Sequence, residues 1–220
     1  MLKSTEKIFA SGFESHVIRD IDLATLFDGT DASRYGLVNK AIKANELVPL
    51  RRGLYLARSA HRPVQFSQYY LANHMVPCSF VTAESALSYH GWIPERVTDV
   101  VSLSVFGRQK EFSNEFGHFS YFIFKGVSHQ FLQGVERVEA VPRFFWMAKP
   151  LRALLDYLML NKVEGATIDF LEKSLRIEKE MLLSVAVSEL DAMQDIYTSL
   201  RIKRFLKHFK REIQHAAKPH

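Results

Sequence analysis

The chain has 220 residues, 47% of them hydrophobic and 24% charged, with a net charge of +5 and one cysteine. That length allows one large domain or two small ones, and the composition is that of a globular chain. A lone cysteine excludes an internal disulfide framework and any CxxC metal site, and a reducing, cytoplasmic setting is the expectation. No apolar run approaches the roughly 18 residues of a membrane span, and the first residues lack the apolar stretch of a signal sequence, so neither is expected.

Charge is unevenly spread. Residues 31–60 carry +4, residues 201–220 carry +6, and residues 61–200 carry −3. Two basic segments thus flank a mildly acidic middle, a distribution that suits an anionic partner.

In chain order, residues 4–15 predict a helix with Ile8, Phe9 and Phe13 on one face. Residues 17–27 predict a brief extended entry and a short helix over Asp22–Phe27. "DGTDAS" (28–33) is turn chemistry. A helix is expected over 33–46. At 100° per residue it places Ser33, Gly36, Asn39, Lys40 and Lys43 on one stripe. Tyr35, Val38, Ala41 and Ile42 fall on the other. "LVPLRRGLYLA" (47–57) then alternates about Arg52-Gly53 as a hairpin would.

Helices followed by a basic hairpin is the order of a winged helix-turn-helix. In that arrangement the helix after the turn enters the major groove and the wing touches backbone or minor groove. Ser33, Arg34, Asn39, Lys40 and Lys43 are the candidate contacts from the helix, and Arg51 and Arg52 from the wing. Lysine, arginine and serine suit phosphates, and asparagine suits an adenine edge.

"RSAHRP" (58–63) reads as a linker between residues 1–58 and a second unit over 64–220. Helices are expected over 64–74 and 83–90. Three antiparallel strands are expected near 97–105, 108–113 and 116–124, with another within 134–141. Helices follow from Ala148, with Pro150 in a tolerated first turn, and then near 168–174, 178–190 and 193–214. The fold class is therefore α+β.

Three segments carry a resemblance to a known family. "LVPLRRGLYLA" resembles the wing of the AbiEi-like antitoxins of abortive-infection type E systems. "FVTAESALSYHGWIPERVTDVVSLSVFGRQKEFSNEFGHFSYFIF" (80–124) resembles that family's second domain. "AKPLRALLDYLML" (148–160) is similar to its "A.PEKALLDLLY" helix. Lys149 and Leu151-Arg152 depart from the "PEK" pattern, which changes the chemistry of any partner contact there. The resemblance implies a winged-helix DNA-binding domain joined to an antitoxin domain. It also implies repression of the protein's own promoter, by binding repeats in double-stranded DNA, and neutralisation of a nucleotidyltransferase-like toxin. A monomer binding repeats cooperatively is one arrangement left open.

Other constellations are poorer. Ser88 and His90 lie two apart and point to different faces of a helix, a poor geometry for nucleophile and base. His90 instead suits a helix end before Gly91. His208 and His215 alone make no structural metal site, and no GxGxxG or Walker pattern occurs. No catalytic residue, metal or cofactor is expected. Cys78 reads as a small core residue. Phe112, Phe116, Phe119, Tyr121 and Phe124 read as core aromatics.

The last helix sets Ile202, Phe205, Leu206, Phe209 and Ile213 opposite Arg204, Lys207, Lys210 and Arg211. Those four cations are the candidate partner-binding residues. The alternatives are a winged-helix interaction scaffold without specific DNA binding, and a group-transfer enzyme acting on a cognate toxin.

Overall fold

A computed structural model describes residues 1–58, 65–140 and 143–216. The chain is mixed α and β, with ten α-helices and two sheets among those residues. Helix α1 (Lys3–Ala10) buries Thr5 and Ile8. It stops well short of residue 15 because Gly12 adopts φ +82°, a left-handed stop, and a 3-10 turn covers Phe13–Ser15. Strand β1 (Val17–Arg19) leads into α2 (Asp20–Leu26). The Arg19 amide and guanidinium both donate to Asp22, closing the first turn and starting α2 earlier than expected. Helix α3 (Asp31–Lys43) likewise starts early, because the Thr30 hydroxyl accepts from the Ser33 amide.

Strands β2 (Leu47–Arg51) and β3 (Leu54–Ala57) form the expected hairpin about Arg52-Gly53. Gly53 has φ +74°, and a Cβ there would meet Asp20 Oδ2 at 2.6 Å. β3 pairs antiparallel with both β1 and β2, giving the order β1-β3-β2. This small sheet is covered on both faces. Ile18, Leu47, Tyr55 and Ala57 pack with Ile8, Leu23, Val38 and Ala41 of the three helices. Val17, Val48, Leu50, Leu54 and Leu56 belong to the large core that runs through the rest of the chain. Period-two alternation in the strands thus feeds two cores at once.

The expected linker residues Ser59–Pro63 lie outside the described residues. Beyond them come α4 (Gln68–Met75), β4 (Ser79–Val81), α5 (Ala83–Tyr89), β5 (Val100–Ser104), β6 (Lys110–Asn114), β7 (Gly117–Ile123), β8 (Val135–Glu139) and β9 (Phe144–Ala148). Six strands form one mixed sheet in the order β6-β7-β5-β4-β9-β8. The expectation of three successive antiparallel strands is corrected here: β5 pairs with β7, in parallel, and β6 is antiparallel to β7 at the sheet edge. The reason is polarity. "KEFSN" of β6 buries no residue fully, so it suits an edge, whereas β7 buries Phe119 and Tyr121 and belongs inside. The opposite edge, β8, carries Glu136, Arg137 and Glu139, which also blunt it.

Helix α6 (Pro150–Leu160) packs on the sheet with seven of its eleven residues buried. Helices α7 (Ile168–Leu175), α8 (Lys179–Leu183), α9 (Val187–Met193) and α10 (Leu200–Ala216) close the fold. The helix expected over 178–190 is two. The Ser184 hydroxyl donates back to the Met181 carbonyl where the first one ends. The helix expected from 193 starts at Leu200, because Tyr197 is pulled into the core and bridges Gly126. Among the described residues no helix is long and apolar enough to cross a membrane.

Candidate nucleic-acid interface

The candidate contacts on α3 divide into two groups. Val38 and Ala41 point into the core, as the stripe requires, which turns Ser33, Gly36, Asn39, Lys40 and Lys43 to solvent. Asn39, Lys40 and Lys43 have no ion pair or side-chain hydrogen bond to another described residue. They occupy one turn near the C-terminal end of α3, where cations are also favoured by the helix dipole. Ser33 and Arg34 are used locally. The Ser33 hydroxyl donates to the Thr30 carbonyl at 2.8 Å. The Arg34 guanidinium donates to the Gly29 carbonyl at 2.6 Å and pairs with Asp31, so it fastens the turn before α3. Tyr35, expected on the core stripe, is exposed and lines a small cleft of about 160 Å³ with Asp20, Asp31 and Arg34.

The hairpin tip is similarly split. Arg51 Nε donates to the Met75 carbonyl at 2.7 Å, and Asn114 donates to the Leu50 carbonyl at 3.0 Å. The first guanidinium of the pair is thereby anchored to α4. Arg52 is exposed and carries no ion pair to a described residue. The tip is braced from the other side as well, because the Asp20 amide donates to the Gly53 carbonyl at 3.2 Å. Of the candidates, Asn39, Lys40, Lys43 and Arg52, on two adjoining elements, have no side-chain partner among the described residues.

On α10 the two faces separate cleanly. Ile202, Phe205, Leu206, Phe209 and Ile213 are buried. Arg204, Lys207 and Arg211 are exposed and unpaired among the described residues, and Lys203 joins them on the same side. Lys210, expected with them, instead pairs with Asp191 of α9 at 2.5 Å.

The other residues singled out in the sequence are placed as follows. Arg152, at the departure from the "PEK" pattern, is 0% exposed and so touches no partner. Its Nε lies 3.1 Å from Asp156, and Nη1 donates to the carbonyls of Phe131 and Gln133. Tyr197 and Thr82 each donate to Asp156 at 2.7 Å. Burial opposes the charge on Arg152, but Asp156 and then Tyr197 outweigh it and hold its pKa above the ordinary value. Cys78 is not a core residue: it is exposed, at φ +57°, in the turn between α4 and β4. His90 does end α5, and its Nε2 donates to the Ala148 carbonyl at 2.9 Å. Phe119, Tyr121 and Phe124 are core, with Phe112 and Phe116 packed against them. Among the described residues no group of three His, Cys, Asp or Glu is placed to hold a metal ion.

No protein-family model and no curated protein matches the chain.

Proposed function

We propose that residues 1–58 act as a winged helix-turn-helix, with α3 as the helix that reads double-stranded DNA. In this reading the chain is a repressor that binds its own promoter region and also the antitoxin of a nucleotidyltransferase-like toxin. The observation that carries the DNA half is the free face of α3. Its opposite face is locked into a core, while Asn39, Lys40 and Lys43 have no described partner competing for them. The order of helix, turn, helix and hairpin, and the free Arg52, support the same reading. The antitoxin half rests on the sequence resemblance and on the free cations of α10, which suit an acidic protein surface.

One observation favours the scaffold alternative for the hairpin. Its outer face is packed into the large core and Arg51 is tied to Met75, so only Arg52 of the two arginines is left to meet a phosphate.

The test is fluorescence-anisotropy titration of the full chain against the duplex upstream of its own start codon, with a scrambled duplex as control and salt varied. The expected result is binding that prefers the upstream duplex and weakens with salt. Arg52→Ala should weaken both duplexes alike and lower the salt slope by about 1. Asn39→Ala should instead cost about 1–3 kcal/mol of sequence preference. Equal, weak binding of both duplexes by the unaltered chain would sink the reading.

A further inference from the structure

A pocket of about 570 Å³ opens beside α4, between the end of β5 and the strand β9. That volume lies within the range of about 300–1,000 Å³ typical of small-molecule sites. Three of the eight large apolar side chains most exposed among the described residues meet at its mouth: Phe106 at 69%, Leu132 at 55% and Trp146 at 37%. Exposed apolar groups gathered in one concavity, rather than scattered, mark a surface that gains by being covered.

Among the described residues no carboxylate lines the pocket, while the guanidinium of Arg143 does. The one hydrogen bond of Arg143 to a described side chain runs from Nη2 to His16 Nε2, at 2.8 Å, and no described carboxylate pairs with it. Arg19, near by, is already neutralised by Asp22. Asn73 adds a donor: its Oδ1 accepts from the Trp146 amide, and its Nδ2 is buried without a described partner. His74 completes the wall, its pKa held below the ordinary imidazole value. Burial disfavours its charge first, the Nδ1 bond to the Tyr70 carbonyl opposes that, and Arg143 adds to the disfavour.

We propose that this pocket binds a small organic anion, an aryl or branched-alkyl carboxylate or sulfonate. Its apolar body lies among Phe106, Leu132 and Trp146, and its charged group takes the guanidinium of Arg143. A carboxylate is a better acceptor for a guanidinium than an imidazole nitrogen, so the occupant displaces His16. Because His16 immediately precedes β1, occupancy is felt by the first three helices.

The test uses two probes on the full chain: 8-anilinonaphthalene-1-sulfonate and its uncharged counterpart, N-phenyl-1-naphthylamine. The sulfonate should bind at one site, about tenfold tighter than the neutral probe. Arg143→Gln should erase that preference while leaving the neutral probe's affinity unchanged. Location is read independently, without any substitution. Cys78 is the chain's only cysteine and lines this pocket, so a saturating sulfonate probe should slow its alkylation by iodoacetamide several-fold. Equal affinity for the two probes, or anion binding that leaves Cys78 as reactive as before, overturns the proposal.

Discussion

Arg152 and Asp156 show what a single residue is worth in this fold. Both are 0% exposed, and the pair is completed by Tyr197, Thr82 and two backbone carbonyls. Removing one member leaves a charge in the core without its counter-ion, which costs about 3–5 kcal/mol. Asp156→Ala should lose that much in urea unfolding, whereas Arg152→Met combined with Asp156→Leu should lose far less, since no charge is stranded. This cluster was not read from the sequence, where Arg152 stood out only as a departure from the "PEK" pattern. An arginine and an aspartate four apart in "PLRALLDY" announce a helical ion pair, but the pattern alone does not say that it is buried. Tyr197 was not legible at all, because it arrives from a segment whose own pattern reads as helix. The pocket was hidden for the same reason: Asn73, Phe106, Leu132, Arg143 and Trp146 come from separate segments, and no spacing rule joins them. The misreading of Cys78 has a different cause. A small apolar side chain is usually interior, but the turn after Pro77 requires φ +57° there and turns it to solvent.

At the scale of elements, Glu46 ties the start of the chain to the end of α3. Its carboxylate accepts from the Thr5 hydroxyl at 2.6 Å and from the Leu2 amide at 2.9 Å. Those two bonds, the hydroxyl first, hold the carboxyl below the usual carboxylate range. A folded-state pKa below the unfolded one, about 4.3 for a glutamate, gives stability that is complete above that value. It is lost as pH falls through the lower, folded one. The chain with Glu46→Gln should therefore be less stable than the parent at pH 7, and the gap should close below about pH 4, as followed by thermal unfolding. Helix α10 allows a second test. On the proposed antitoxin reading, Lys207→Glu with Arg211→Glu, at exposed positions unpaired among the described residues, should abolish toxin neutralisation in a co-expression growth assay at unchanged melting temperature. Lys210→Glu should lower the melting temperature, because Lys210 is spent on Asp191. The amphipathic pattern of α10 was read correctly from the sequence, since five apolar positions at helical spacing leave one solution. The pairing of β5 with β7 was not, since strand order follows from which strand tolerates an edge, and the reading weighed sequence adjacency first.

Across the whole molecule, the linker composition at 58–63 suggests two separable bodies, yet the packing joins them. Val17, Val48, Leu50, Leu54 and Leu56 of the first 58 residues lie in the core of the remainder. Burying each such side chain contributes about 1.5–3 kcal/mol, so cutting the chain at residue 58 strips five of them of their cover. The expected outcome is that residues 1–58 expressed alone show no cooperative unfolding by circular dichroism. The full chain should unfold in one transition that different probes report together.

The three-stranded sheet is in effect a party wall between two rooms. A unit on a slack tether can tilt and settle independently of its body; one that shares a wall with its neighbour cannot. The orientation of α3 is then fixed by the frame of the entire chain, and a change on the far side of that wall reaches the helix as a shift in aim rather than in reach. Such a chain is also a poor donor for domain shuffling. Its first 58 residues carry a lining shaped for one neighbour, and a transplanted copy would need that lining rewritten before it could stand in water.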